Sequence, residues 1–141
     1  MPRFHAPLAA LLIASIASGC MRGDGDAPQA PEIIDQGIVE WRGSLPCADC
    51  EAIDTRLVLE QRGDVRRYRL VEVYVALDGS QSFNEAGEWS LDDSLLSLQP
   101  GTGGLRRYAL VRGGALQVRD PGGEVFPGRE HDLLLPVGRQ P

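Results

Sequence analysis

Thr55-Arg56-Leu57-Val58-Leu59-Glu60-Gln61-Arg62-Gly63-Asp64-Val65-Arg66-Arg67-Tyr68-Arg69-Leu70-Val71-Glu72-Val73-Tyr74-Val75-Ala76 is the stretch that decides the fold. In an extended chain Thr55, Leu57 and Leu59 fall on one side, and Arg56, Val58 and Glu60 on the other. Successive side chains of a strand alternate between faces, so this segment offers one face to a core and the other largely to water. Arg62-Gly63-Asp64 breaks the apolar pattern before a second run rich in Val and Tyr begins. Glycine and aspartate tolerate positive φ, and the break therefore reads as a hairpin turn.

The same rhythm continues in both directions. Candidate strands are Gly37–Gly43, Thr55–Arg62, Val65–Ala76, Ser82–Leu91, Ser94–Pro100, Leu105–Arg112, Ala115–Arg119 and His131–Val137. Between them stand breakers such as Asp78-Gly79-Ser80, Asp92-Asp93, Thr102-Gly103-Gly104, Gly113-Gly114 and Pro121-Gly122-Gly123. Short connections imply antiparallel neighbours. About eight strands in succession predict an all-β meander that closes into a small antiparallel barrel, because closure removes exposed edges. No segment keeps helical periodicity over three turns. One helical turn is expected at Pro46–Ile53, since Pro46 pre-sets φ for it. The aromatics Trp41, Tyr68, Tyr74, Phe83, Trp89 and Tyr108 are expected to fill the core and rim. Some of them could instead line a ligand space, because a small barrel can hold one small molecule.

The first residues carry a different message. Arg3 precedes an apolar run through Leu11, Leu12, Ile13 and Ile16, and Ala17-Ser18-Gly19 closes it with small side chains. That order is what a secretory signal needs. The run is shorter than the roughly 20 residues that span a bilayer. Cys20 follows directly, in a pattern that resembles a lipobox, although Ala17 stands where leucine is commoner. Residues 1–19 are therefore expected to be a lipoprotein signal peptide, with Cys20 acylated as the mature N-terminus. Several acyl chains contribute about 0.8 kcal/mol per buried methylene, enough for permanent anchoring. Residues 20–32 hold Gly, Asp, Pro, Gln and Ala without an apolar face, which predicts a flexible tether. Residues 33–141 are then one domain with one core.

All fourteen basic residues are arginine, and the formal net charge is −6. Loss of Arg3 with the signal makes the mature chain −7. An acidic domain is poorly suited to nucleic acid, whose binding rests on neutralising phosphates. With Cys20 spent on lipid, Cys47 and Cys50 have only each other within the chain.

Those two cysteines sit in Trp41-Arg42-Gly43-Ser44-Leu45-Pro46-Cys47-Ala48-Asp49-Cys50-Glu51-Ala52-Ile53-Asp54-Thr55-Arg56-Leu57-Val58-Leu59. This segment resembles the N-terminal domain of the NlpE family, the copper-resistance-associated envelope lipoproteins. The shared elements are G-x-L-P-C-A-D-C-E leading into T-x-L-x-L. Glu72, Tyr74, Phe83, Gly87-Glu88-Trp89 and the stretch from Leu116 to Gly122 extend the likeness downstream. Ala52 stands where the family has glycine. The larger members carry a second, C-terminal domain, which is expected to be absent from a chain ending at Pro141. The resemblance implies a lipocalin-like barrel, outer-membrane attachment, and a part in copper tolerance and envelope-stress signalling with a sensor protein as partner.

Three chemistries are open to Cys47 and Cys50, within a motif that includes Leu45, Pro46, Asp49 and Glu51. A small disulfide, or a pair of tucked thiols, would fix the turn beside the barrel mouth, the disulfide with modest entropic value because the loop is short. Two thiolates would suit Cu(I), but the mature chain adds only His131 and Met21 as further soft or borderline donors. Asp49 and Glu51 are hard ligands, expected to face water. Thiol–disulfide exchange is the third, although the βαβ context of thioredoxin-like proteins is missing. His131, between Glu130 and Asp132, is expected at the surface. Nucleotide-binding glycine loops, H-E-x-x-H and G-x-S-x-G are absent, and no enzyme activity is expected. The chain is therefore expected to be a monomeric lipoprotein that acts by binding. A lipocalin-like carrier of a small ligand and a redox partner are the alternatives. Met21 after Cys20, in place of an inner-membrane retention aspartate, favours the outer membrane, facing the periplasm.

Overall fold

The computed structural model describes residues 36–137. The predicted signal peptide, Cys20 and the tether lie outside the described residues. Eight strands run in order: β1 (Gln36–Leu45), β2 (Ala52–Arg62), β3 (Val65–Ala76), β4 (Gly79–Asp92), β5 (Leu95–Pro100), β6 (Arg106–Leu110), β7 (Leu116–Arg119) and β8 (Leu133–Pro136). Each pairs antiparallel with the next, and β8 returns to β1, so the sheet is a closed barrel. Every expected strand has its counterpart. The differences lie at the ends: β2 and β4 start three residues early, while β6 and β8 are shorter than their apolar runs.

The expected helical turn at Pro46–Ile53 does not form. Strand pairing continues too far to leave room for it: Leu45 still pairs with Ile53, and Ala52 already lies opposite Val75. The Glu51 amide donates to the Val75 carbonyl at 2.8 Å, extending the β2–β3 ladder by one residue. Among the described residues the one helical piece is a 3-10 turn at Arg112–Gly114, in the break between β6 and β7.

The alternation in β2 holds. Thr55, Leu57 and Leu59 are buried, with Gln61 continuing the face. Register carries that face around the barrel: Trp41 lies opposite Leu57, Leu57 opposite Leu70, Trp89 opposite Leu98, and Leu96 opposite Tyr108. Leu116 and Leu134 complete the core. The two tryptophans keep their N–H groups satisfied. Trp41 Nε1 donates to the Gly114 carbonyl at 2.8 Å and Trp89 Nε1 to the Glu60 carbonyl at 3.1 Å. Val58 is the departure from the simple pattern, since it points outward yet is buried.

Closure rests on a short seam. Trp41 pairs with Pro136 and Arg42 with Leu135, and the Val137 amide donates to the Glu40 carbonyl at 2.8 Å. Just beyond, β8 lies directly against Gly43. A methyl group there would stand 2.5 Å from the Leu133 carbonyl oxygen and 2.9 Å from Leu134 Cδ2. On the outside of the same seam, Glu40 accepts Arg42 Nε at 2.5 Å, and Arg56 Nε and Nη2 at 2.8 and 2.7 Å. The Arg56 hydrogen bonds hold the Glu40 carboxyl down at about 2, with Arg42 adding to the effect and partial burial opposing it.

Two outcomes follow from the seam. Gly43→Ala is expected to lower stability by about 1–3 kcal/mol, the usual cost of overpacking. Gly37→Ala in the same strand, where nothing lies within 4 Å, should be close to neutral in the same urea titration. The Glu40 value is depressed in the folded chain, so its stabilisation is present above about 4.5 and fades as pH falls toward 2. Thermal unfolding of wild type and Glu40→Gln should therefore differ near neutral pH and converge in acid.

Candidate functional site

The β1–β2, β3–β4 and β5–β6 connections share one end of the barrel, as an up-and-down meander requires. Gln36, paired with Arg62, lies at the other end. The functional candidates gather on the first of these rims. Leu45 is buried and seats the loop, whereas Pro46, Asp49 and Glu51 are exposed. Cys47 and Cys50 are joined as a disulfide with their Cα atoms 5.2 Å apart. The bond closes the loop where the expected helical turn is missing. Glu51 ties the loop to β3, and Ile53 lies directly opposite Tyr74.

Next to this loop the barrel opens into a cavity of about 520 Å³. It exists because β5 pairs with β4 only from Gly87 onward, leaving the first half of β4 bound to β3 alone. Its wall carries Leu70, Tyr74, Phe83 and Pro100. The Tyr74 and Phe83 rings meet edge to face with centroids 5.1 Å apart. Phe83 is 48% exposed although it occupies an inward-facing position. Thus Trp41, Tyr68, Trp89 and Tyr108 fill the core, while Tyr74 and Phe83 belong to the rim.

The floor of the cavity is ionic. Arg106 Nη1 and Nη2 donate to the two carboxylate oxygens of Glu72 at 3.1 Å each, and its Nε donates to Glu85 Oε2 at 3.1 Å. The Tyr68 hydroxyl donates to Glu85 Oε1 at 2.8 Å. Glu72 is almost wholly buried. Burial pushes the Tyr68 hydroxyl well above the usual tyrosine range, reinforced by the neighbouring Glu85. It pushes Tyr108 up to about 12. The two carboxylates keep the Arg106 guanidinium above its ordinary value against the opposing effect of burial.

Cys47 and Cys50 stand out in the sequence as a motif, whereas Arg106 and Glu85 belong to none. The signal was present as strand parity. Glu72 shares the face of Tyr68, Leu70 and Tyr74, and Arg106 that of Tyr108 and Leu110. Charged residues on otherwise apolar faces mark interior polar groups. His131 is exposed, and among the described residues no three His, Cys, Asp or Glu side chains converge as metal ligands.

The chain matches the family model of the NlpE N-terminal domain over residues 41–129. It is similar to lipoprotein NlpE of Escherichia coli (strain K12), with 38% identity over 81 residues, covering 57% of this chain and 33% of that protein. It thus spans about a third of the length of that relative. Among solved structures it is similar to the Cpx pathway activator NlpE from Escherichia coli, with a TM-score of 0.53 and 35% identity, covering 62% of this chain and 45% of that one. A protein from Shewanella oneidensis shares the fold, with a TM-score of 0.55 and 24% identity over 80% of this chain and 100% of its own.

The loop disulfide spans only three positions, and so short a closed loop is expected to contribute about 2 kcal/mol. Cys47→Ser/Cys50→Ser should therefore unfold at lower urea concentration with an unchanged m-value, the barrel itself remaining intact by circular dichroism.

Proposed function

The chain belongs to the NlpE family, and from that premise we propose that it is an envelope lipoprotein that works by binding at the rim carrying Cys47 and Cys50. The carrying observation is the position of that rim. The loop is exposed, closed by its disulfide and stitched to β3. It lies at the end of the barrel opposite Gln36, where the chain enters the fold. With Cys20 acylated and residues 21–32 as tether, the rim would face away from the membrane. Outer-membrane attachment would turn it toward the periplasm, where an envelope-stress sensor could meet it. The Escherichia coli relative is a Cpx pathway activator, and an envelope-stress sensor protein is the partner we assign to this chain.

Copper enters this reading through the reduced pair. As a disulfide the two sulfurs are not thiolates and do not fit the metal. Once a dithiol reductant of the envelope has taken over the disulfide by exchange, being itself oxidised to a disulfide, Cys47 and Cys50 supply two soft donors suited to Cu(I). Asp49 and Glu51, exposed on the same loop, are hard donors that belong to water. Binding rather than catalysis is the mode of action, because the carboxylates of the cavity floor are engaged by Arg106. A second reading, carriage of a small ligand, is favoured by the cavity of about 520 Å³, a size typical of small-molecule sites.

Cys20→Ser carried behind an ordinary cleavable secretory signal in place of residues 1–19 should move the protein from the membrane to the soluble envelope fraction. Overproduction of the lipidated chain should raise an envelope-stress reporter, and Cys47→Ser/Cys50→Ser should lower that induction several-fold. Equal induction by the two forms would remove the rim loop from the function. Titration of the reduced protein with Cu(I) under a competing chelator should show binding that the double serine variant lacks.

A further inference from the structure

The interior ionic cluster does not balance. Glu72 and Glu85 bring two negative charges and Arg106 one positive, which leaves one negative charge at the cavity floor. Tyr68 and Tyr108 stay neutral and cannot offset it. Among the described residues, Arg106 is the one cationic side chain lining the cavity. Each of the four carboxylate oxygens accepts one hydrogen bond. An ionised carboxylate offers about two acceptor positions per oxygen, so capacity remains on all four. Uncompensated charge in a partly desolvated site is unfavourable and calls for a partner of opposite sign.

The walls above this floor are of another kind. Leu70 and Pro100 are buried apolar surface, and Phe83 exposes nearly half of its area toward the opening. Aromatic faces attract cations, most strongly where water is excluded. Negative floor and aromatic wall therefore select the same ligand, one with a positive head and an apolar body.

We propose that the barrel mouth binds a small organic cation, an ammonium group carried on an alkyl or aromatic body, with its head toward Glu85 and Glu72 and its body against Tyr74 and Phe83. This rests on the second reading above, that the cavity holds a small molecule. An anionic ligand is disfavoured because Arg106 already spends its fork on Glu72 and its Nε on Glu85.

The test is calorimetric titration of the soluble Cys20→Ser protein with four ligands of one chain length: hexylamine, hexyltrimethylammonium, hexanol and hexanoate. Both cations should bind at least ten-fold tighter than hexanol, and hexanoate most weakly. Glu85→Gln should remove most of the preference for cations over hexanol. Phe83→Ala, at an exposed position that the core does not need, should weaken all four ligands together. Hexanol or hexanoate binding as tightly as the amines would overturn the cation assignment and leave the carrier reading standing. No binding by any of the four, by a protein whose thermal transition shows it folded, would overturn both.

Discussion

Eight strands make a barrel only if the last can reach the first, and here the last is four residues long. The approach of β8 to β1 is therefore the constraint on which the rest depends. Two paired positions and one further backbone hydrogen bond close the ring. Gly43 permits it, because β8 occupies the space that any side chain would need. Trp41, one turn of the pleat away, adds a bond from its indole to the Gly114 carbonyl across the core. Without closure, the interior faces of β1 and β8 would lose their cover and both strands would present free edges to solvent.

Closure also explains why the two ends of the barrel differ. At the end near Gln36, tryptophans and leucines fill the interior. At the other end the strands are unequal. β3 and β4 run on past the point where β5 and β8 stop. A barrel of eight strands has an interior just wide enough for side chains to fill or for one small molecule to enter. This one does the first at one end and leaves room for the second at the other. The same inequality brings the Cys47–Cys50 loop beside the opening, since β2 pairs with β3 almost to its end.

The ionic cluster sits where these two regimes meet. Placing Glu72, Glu85 and Arg106 inside is costly unless they are paired, and forked contacts from Arg106 together with the Tyr68 hydroxyl give each carboxylate oxygen one hydrogen bond. The four residues come from β3, β4 and β6, so they fix the relative positions of strands that are not all neighbours. Membership of the NlpE family accounts for the shared frame. What this chain does with the charge left over at the mouth depends on its own residues.

By itself the sequence determined the strands, their order and their faces, because alternation and turn residues act locally. Thr55, Leu57 and Leu59 turn inward for the reason their spacing implies, and Asp92-Asp93 makes a turn, with Asp93 at positive φ. It also marked Cys47 and Cys50 as a pair, though not the state that joins them. Tertiary structure decided the rest. Pairing of Leu45 with Ile53 and of Ala52 with Val75 overrode the helical turn that Pro46 invites. Register brought Arg106 to Glu72, thirty-four positions earlier, a meeting that no local pattern contains. Local propensity is read from neighbours in the chain, whereas a cavity and its charge are set by residues that only closure brings together.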